Sequence, residues 1–72
     1  MQYLVVIEKS QSNYGAYVPD LPGCVAVART KAELMRLVRE AVELHLDALQ
    51  QEGKRIPEPT ATTELVEVGE GR

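Results

Sequence analysis

The sequence has no tryptophan and no phenylalanine, and its only large aromatic residues are three tyrosines. It therefore lacks the aromatic platform on which many single-strand-binding proteins stack bases. Eight lysines and arginines against eleven aspartates and glutamates give a net charge of −3. This balance argues against a protein that mainly binds nucleic acid, and it is compatible with a basic partner.

Cysteine and long apolar runs are also scarce. The single cysteine, Cys24, excludes an internal disulfide framework and fits a reducing compartment. The longest N-terminal apolar run, residues 4–7, is too short for the core of a signal peptide or for a membrane span. We therefore expect a cytoplasmic protein that does not enter a membrane.

The chain is also short, with 72 residues. Domains of this size bury only about 60% of the surface that their unfolded chains expose, so a single core is barely sufficient. We expect one domain over residues 1–68, a frayed tail over 69–72, and self-association into a dimer or tetramer.

A rigid corner at residues 19–24 is the most informative stretch of the sequence. Pro19 and Pro22 cannot donate to a β-ladder, so a strand must end here. Pro22 and Gly23 suit the two central positions of a type II turn, the second of which needs a positive φ. Asp20 is expected to accept a local backbone hydrogen bond that holds the turn, although a role in presenting a carboxylate to a positive group stays open. The corner residues are predicted to define the fold and are candidates for partner contact: Pro19, Asp20, Leu21, Pro22, Gly23 and Cys24.

Strand patterns flank the corner and a helix pattern follows it. Residues 2–9, 14–18 and 25–28 predict a three-stranded antiparallel meander. Thr30, with Glu33 three residues later, forms a capping box that predicts the start of an amphipathic helix, which Gly53 would end. Residues 62–68 have the composition of a strand but alternate imperfectly. The predicted fold is α+β, in the order β-β-β-α-β, with one helix packed on one face of a small antiparallel sheet.

Both faces of the first strand are apolar, and one helix can cover only one of them. Tyr3, Val5 and Ile7 share one face, whereas Leu4 and Val6 share the other. We expect the second face, with Leu4, Val6 and Tyr17, to be covered by another subunit or by a partner. The alternative is a face that is moderately apolar and simply hydrated.

Cys24 and His45 are the residues with the strongest potential for catalysis, as a nucleophile and its base. His45 falls on the apolar stripe of the predicted helix, and no third group that could orient it is evident. We therefore expect Cys24 to be a small buried hydrophobe and the protein not to be an enzyme. One cysteine and one histidine also fall short of the three or four ligands of a usual metal site, so neither metal nor cofactor is expected.

Several of these features together resemble the HicB-like antitoxin family. They are Tyr14-x-Ala16, the sequence Pro19-Asp20-Leu21-Pro22-Gly23-Cys24, Thr30-x-x-Glu33 with Glu40-Ala41, His45-Leu46, Gly53 and Ile56-Pro57-Glu58-Pro59. The resemblance runs from about Tyr3 to Pro59 and is most specific at the corner. It implies a truncated ribonuclease-H-like domain that lacks the catalytic carboxylates of that fold.

The resemblance also implies a function and a partner. HicB-like antitoxins bind small basic HicA toxins, which are mRNA-cleaving ribonucleases, and cover their active site and RNA surface. By this resemblance the chain is a non-enzymatic antitoxin whose partner is a HicA-like toxin. Many relatives continue into a DNA-binding domain; since the sequence ends shortly after the last predicted strand, we expect no such domain here, which puts operator binding in doubt.

Two alternatives stay open at this point. The first is an orphan oligomeric module that keeps the fold but binds another protein or a small ligand. The second is an enzyme that depends on Cys24.

Overall fold

The structure is a computed structural model that describes residues 1–69. Within this range the chain forms three short strands and one long helix. The strands are β1 (Val6–Lys9), β2 (Tyr14–Tyr17) and β3 (Val25–Ala28), and the helix is α1 (Lys31–Gln51). The predicted α+β class is confirmed, with an antiparallel sheet followed by a single helix. Only Gly69 of the predicted frayed tail is described; residues 70–72 lie outside the described range.

The sheet is a meander in the order β1-β2-β3. Ile7, Ala16 and Ala26 lie side by side across the three strands, and so do Val6, Tyr17 and Val25. The loop between β1 and β2 is closed by the N–H of Ser10, which donates to the carbonyl of Asn13 at 2.9 Å. Because side chains alternate along each strand, the two rows of residues face opposite sides of the sheet.

The helix begins and ends where its capping signals predict. The hydroxyl of Thr30 accepts a hydrogen bond from the N–H of Glu33 at 3.1 Å. At the other end, Gly53 has a φ of 72°. Its N–H donates to the carbonyl of Gln50, and the N–H of Lys54 donates to the carbonyl of Leu49. This pair of bonds is a Schellman motif, which satisfies carbonyls that the last helical turn leaves free.

The core lies between one sheet face and the first half of α1. Its fully enclosed side chains are Leu21 and Leu34, with 0% exposure each. The other buried core residues are Ala16, Val18, Cys24, Ala28 and Val38. Tyr3, Val5 and Ile7 pack against this core as predicted, so the helix covers one face of the sheet.

The predicted fourth strand is not formed in the described chain. Residues 62–68 carry no strand, and Leu65 is completely exposed. Their alternation is imperfect, and no ladder bonds order them. The order observed is β-β-β-α.

β1 is also shorter than predicted, beginning at Val6 instead of Gln2. The register pairs Val6 with Tyr17, the last residue of β2. Residues before Val6 would therefore have to pair with Val18 and Pro19, where the chain already turns into the corner. Pro19 has no N–H to contribute, so the ladder cannot extend.

Candidate protein-binding surface

Two successive turns form the corner at residues 19–24. The N–H of Leu21 donates to the carbonyl of Val18 at 3.0 Å, and the N–H of Cys24 donates to the carbonyl of Leu21 at 3.0 Å. A third bond, from the N–H of Val18 to the carbonyl of Cys24 at 3.1 Å, closes the base of the corner. Gly23 has a φ of 86°, as the predicted type II turn requires.

The corner residues divide into two groups by burial. Leu21 and Cys24 are buried in the core, whereas Pro19, Pro22 and Gly23 are exposed. A partner could contact the exposed residues and the partly exposed Asp20 without unfolding the corner. Contact between these residues and a partner stays a prediction.

Asp20 holds a distant part of the chain instead of its own turn. One carboxylate oxygen accepts hydrogen bonds from the N–H groups of Thr60 and Ala61, both at 3.1 Å, and the other accepts from the Thr60 hydroxyl at 2.8 Å. The bonds from Ala61 and Thr60 lower the pKa of Asp20 below its usual value. The expectation of a local turn bond was therefore wrong, because the carboxylate faces the segment that returns from the helix.

The sheet face opposite the helix is largely apolar, with Glu8 as its charged member, and is uncovered within the described chain. We call it the outer face and define it by Val6, Tyr17, Val25 and Val27, with Leu4 continuing the alternation toward the N-terminus. Tyr17, Val25 and Val27 are 43%, 63% and 64% exposed. Val6 and Val25 flank Tyr17 across the strands, so the aromatic ring lies in an apolar row. Exposed apolar side chains grouped in this way are typical of protein interfaces.

Sequence reasoning placed Leu4, Val6 and Tyr17 on this face but did not include Val25 and Val27. The signal was present, because the run Val25-Ala26-Val27-Ala28 alternates between a large and a small residue. Ala26 and Ala28 lie toward the helix, where little room is left, and the two valines lie outside. Alternation in residue size thus distinguishes the two faces of β3.

A second apolar feature is a groove between the N-terminal residues and the helix. One wall is formed by Met1–Val5 and the other by α1, and Ala61 lies at its border. Met35 and Val42 contribute apolar surface from the helix, and Arg39 contributes a positive charge. This N-terminal groove lies beside residues 1–5, the part of the chain that leads into β1.

Cys24 and His45 do not form a reactive pair in the structure. Cys24 is buried in the core, and burial raises the pKa of its thiol, which disfavours the nucleophilic thiolate. His45 is partly exposed on the second half of α1 and has no hydrogen bond to Cys24 among residues 1–69. Within the same range no group of three metal-ligating side chains occurs, and no helix is long and apolar enough to cross a bilayer.

The structure therefore describes a small α+β module with one covered and one uncovered sheet face. The chain matches the model of the HicB-like antitoxin of bacterial toxin–antitoxin systems over residues 3–70. It belongs to the HicB-like antitoxin family. Membership supports an antitoxin role and implies a toxin partner.

Individual relatives agree with this assignment. A UPF0150 protein of Thermoplasma acidophilum is 34% identical over 62 residues, which cover 85% of this chain and 90% of the relative. A UPF0150 protein of Archaeoglobus fulgidus is 46% identical over 48 residues, which cover 65% of this chain and 70% of the relative. The crystal structure of the N-terminal domain of the Burkholderia pseudomallei antitoxin HicB superposes with a TM-score of 0.72 at 29% identity, covering 81% of this chain and 69% of that one.

Proposed function

We propose that the protein is a non-enzymatic, cytoplasmic antitoxin that binds a small basic HicA-type mRNA-cleaving toxin and blocks it by occlusion. The observation that carries this proposal is the outer face, an exposed apolar row on a sheet whose other side is already packed against α1. Family membership supports a toxin as the partner. The outer face supplies exposed apolar side chains that could anchor it.

Charge favours the same partner. The chain has a net charge of −3 and would attract a basic RNA-binding surface, which speeds association at low salt. Affinity would depend on a few buried anchors, and Tyr17 is the strongest candidate because tyrosine is among the residues most often dominant at interfaces. Val25 beside it supplies an apolar wall.

The experiment measures inhibition of mRNA cleavage by a HicA-type toxin in the presence of the full chain. We expect stoichiometric inhibition by the wild-type chain. The double variant Tyr17→Ala/Val25→Ser should lose about 2 kcal/mol or more of binding free energy, which corresponds to about a thirty-fold rise in Kd. Both side chains lie outside the core, so the variant should still fold, with a melting temperature lowered only by the loss of cross-strand contacts.

The matched control is Leu44→Ser, which removes an apolar side chain that is 70% exposed on the helix, away from the sheet. It should inhibit as well as the wild-type chain. Equal loss in both variants would refute the outer face as the binding surface. A wild-type chain that binds no HicA-type toxin would refute the function and favour an orphan binding module.

A further inference from the structure

The stretch 62–68, which we call the C-terminal segment, has largely exposed apolar side chains. Leu65, Val66 and Val68 are 100%, 81% and 63% exposed. The segment is rich in threonine and valine, which favour strands, yet it is not part of the sheet. A β-prone apolar stretch left in solvent is a site at which another chain tends to pair.

The start of this segment is held in place. Asp20 accepts three hydrogen bonds from Thr60 and Ala61, immediately before residue 62. The exposure of Leu65 and Val66 and the lack of strand structure over residues 62–68 show that the segment is not packed on its own sheet.

An acceptor for such a strand lies on the same molecule. Because the strand order is β1-β2-β3, the outer edge of β1 has no neighbour within residues 1–69. The N-terminal groove lies beside residues 1–5, which lead into β1, and offers the apolar side chains of Met35 and Val42. Backbone N–H and C=O groups along an open edge are free to bond an added strand.

We propose that the C-terminal segment of one chain adds as a fourth strand to the β1 edge of a second copy, which returns its own segment in the same way. The reciprocal arrangement has two-fold symmetry and uses each segment and each β1 edge once. It buries in the dimer the apolar side chains that a single chain leaves in water. The proposal does not rest on toxin binding.

The two sides of the segment match the two surfaces that it would meet. Strand alternation places Glu64, Val66 and Val68 on one side and Leu65 on the other. With the two valines toward α1, they enter the apolar groove and Glu64 comes to the wall that carries Arg39. Arg39 has no carboxylate within 4.0 Å among residues 1–69, so this charge is free to pair.

The opposite side of the added strand continues the outer face of the sheet. Leu65 would join the outer face beside Leu4 and Val6, which are the neighbouring residues of the edge. Apolar side chains thus meet apolar side chains on both sides of the added strand. The C-terminal segment lacks a sheet with which to pair, and the β1 edge lacks a neighbouring strand. A second copy of the chain supplies both.

The first experiment measures the mass of the full chain in solution by light scattering over a range of concentrations. We expect twice the chain mass of 8.0 kDa, that is 16.0 kDa, decreasing toward 8.0 kDa on dilution. In Val66→Pro the proline removes an N–H that the ladder needs, and the mass should be 8.0 kDa throughout. Val66 is exposed and unpaired in the single chain, so circular dichroism should show an unchanged fold.

The control Leu44→Ser changes another exposed apolar residue and should leave the dimer mass unaltered. A wild-type chain that is a monomer at all concentrations would overturn the proposal. So would a dimer that persists in Val66→Pro, because the chains would then associate through another surface.

A second experiment identifies which chain supplies the strand. A mixture of Leu65→Cys chains with chains carrying Leu4→Cys or Val6→Cys is oxidised, while the native Cys24 is buried and out of reach. We expect disulfide-linked pairs of unlike chains with at least one of the two edge variants. No such pair with either variant, or a disulfide formed only within a chain that carries both substitutions, would overturn the exchange.

Discussion

Leu34 and Leu44 offer a test of where the stability of this protein lies, because the same substitution can be made twice on one helix. Leu34 is completely buried against the sheet, and Leu44 is 70% exposed. Replacing a buried leucine by alanine removes apolar contacts and leaves a cavity, at a cost of about 3 kcal/mol with a usual range of about 2 to 5. Replacing an exposed one changes the free energy of unfolding by only about 0.5 kcal/mol.

The free energy of unfolding that Leu34→Ala should lose is large relative to the stability of the whole domain. A domain of 72 residues is stable by about 4 to 11 kcal/mol, at roughly 0.05 to 0.15 kcal/mol per residue. Leu34→Ala should therefore lower the melting temperature by about 12 to 24 °C, at about 4 to 8 °C per kcal/mol for a domain of this size. Leu44→Ala should shift it by only about 2 to 4 °C.

Urea denaturation followed by circular dichroism measures both variants. Protein concentration must be the same for each, since association would add to the apparent stability. The midpoint of Leu34→Ala should fall with little change in the urea dependence, because the surface exposed on unfolding is nearly the same. Losses in the two variants that agree within about 1 kcal/mol would refute the assignment of the core.

Three further substitutions test local features. Thr30→Val removes the hydroxyl that accepts the Glu33 N–H and should cost about 1 kcal/mol of unfolding free energy, measured by urea denaturation. Gly23→Ala places a Cβ at a φ of 86°, so thermal unfolding should show a loss of about 1 to 2 kcal/mol. Asp20 has a lowered pKa when folded, so its bonds to Thr60 and Ala61 contribute above the usual value near 3.8 and are lost as the pH falls through the folded value. We expect the amide signals of these two residues to shift in NMR spectra over that acidic range, and the same amides to exchange faster at neutral pH in Asp20→Asn.

Each of these substitutions has a matched control. Thr63→Val changes an exposed threonine outside the helix and should be nearly neutral, so an equal loss would contradict the capping role. At Gly15 an added Cβ meets only the Ala26 carbonyl oxygen at 4.0 Å, so Gly15→Ala should cost less than Gly23→Ala. Asp47→Asn should leave exchange at residues 60 and 61 unchanged, since Asp47 is exposed on the helix.

Local signals predicted the elements whose bounds depend on neighbouring residues. β3 has the predicted range, and α1 starts after Thr30 and ends before Gly53, because capping residues and a positive-φ glycine act within a few positions of the chain. The turn at Gly23 was predicted for the same reason. The face of β1 that packs on the core followed from alternation of period two.

Features that depend on distant parts of the chain were not predicted. Asp20 bonds residues 40 and 41 positions later, and no local pattern identifies such a partner. β1 begins at Val6 because β2 ends at Tyr17, which is a property of the register and not of the first strand. The composition of residues 62–68 favours a strand, but composition cannot state whether an edge is present to receive it.

The outer face and the β1 edge are different surfaces of one sheet, so a toxin and a second copy could bind together. They meet where Leu65 of the second copy would lie beside Leu4 and Val6, which enlarges the apolar surface presented to the toxin. Coupling between two binding events is reciprocal, so toxin should tighten the dimer by the factor by which dimer formation tightens toxin binding. Val66→Pro should then raise the Kd for toxin although residue 66 is not on the outer face, and titration of toxin into wild-type and variant chains measures the difference. An unchanged Kd would mean that the two surfaces act independently.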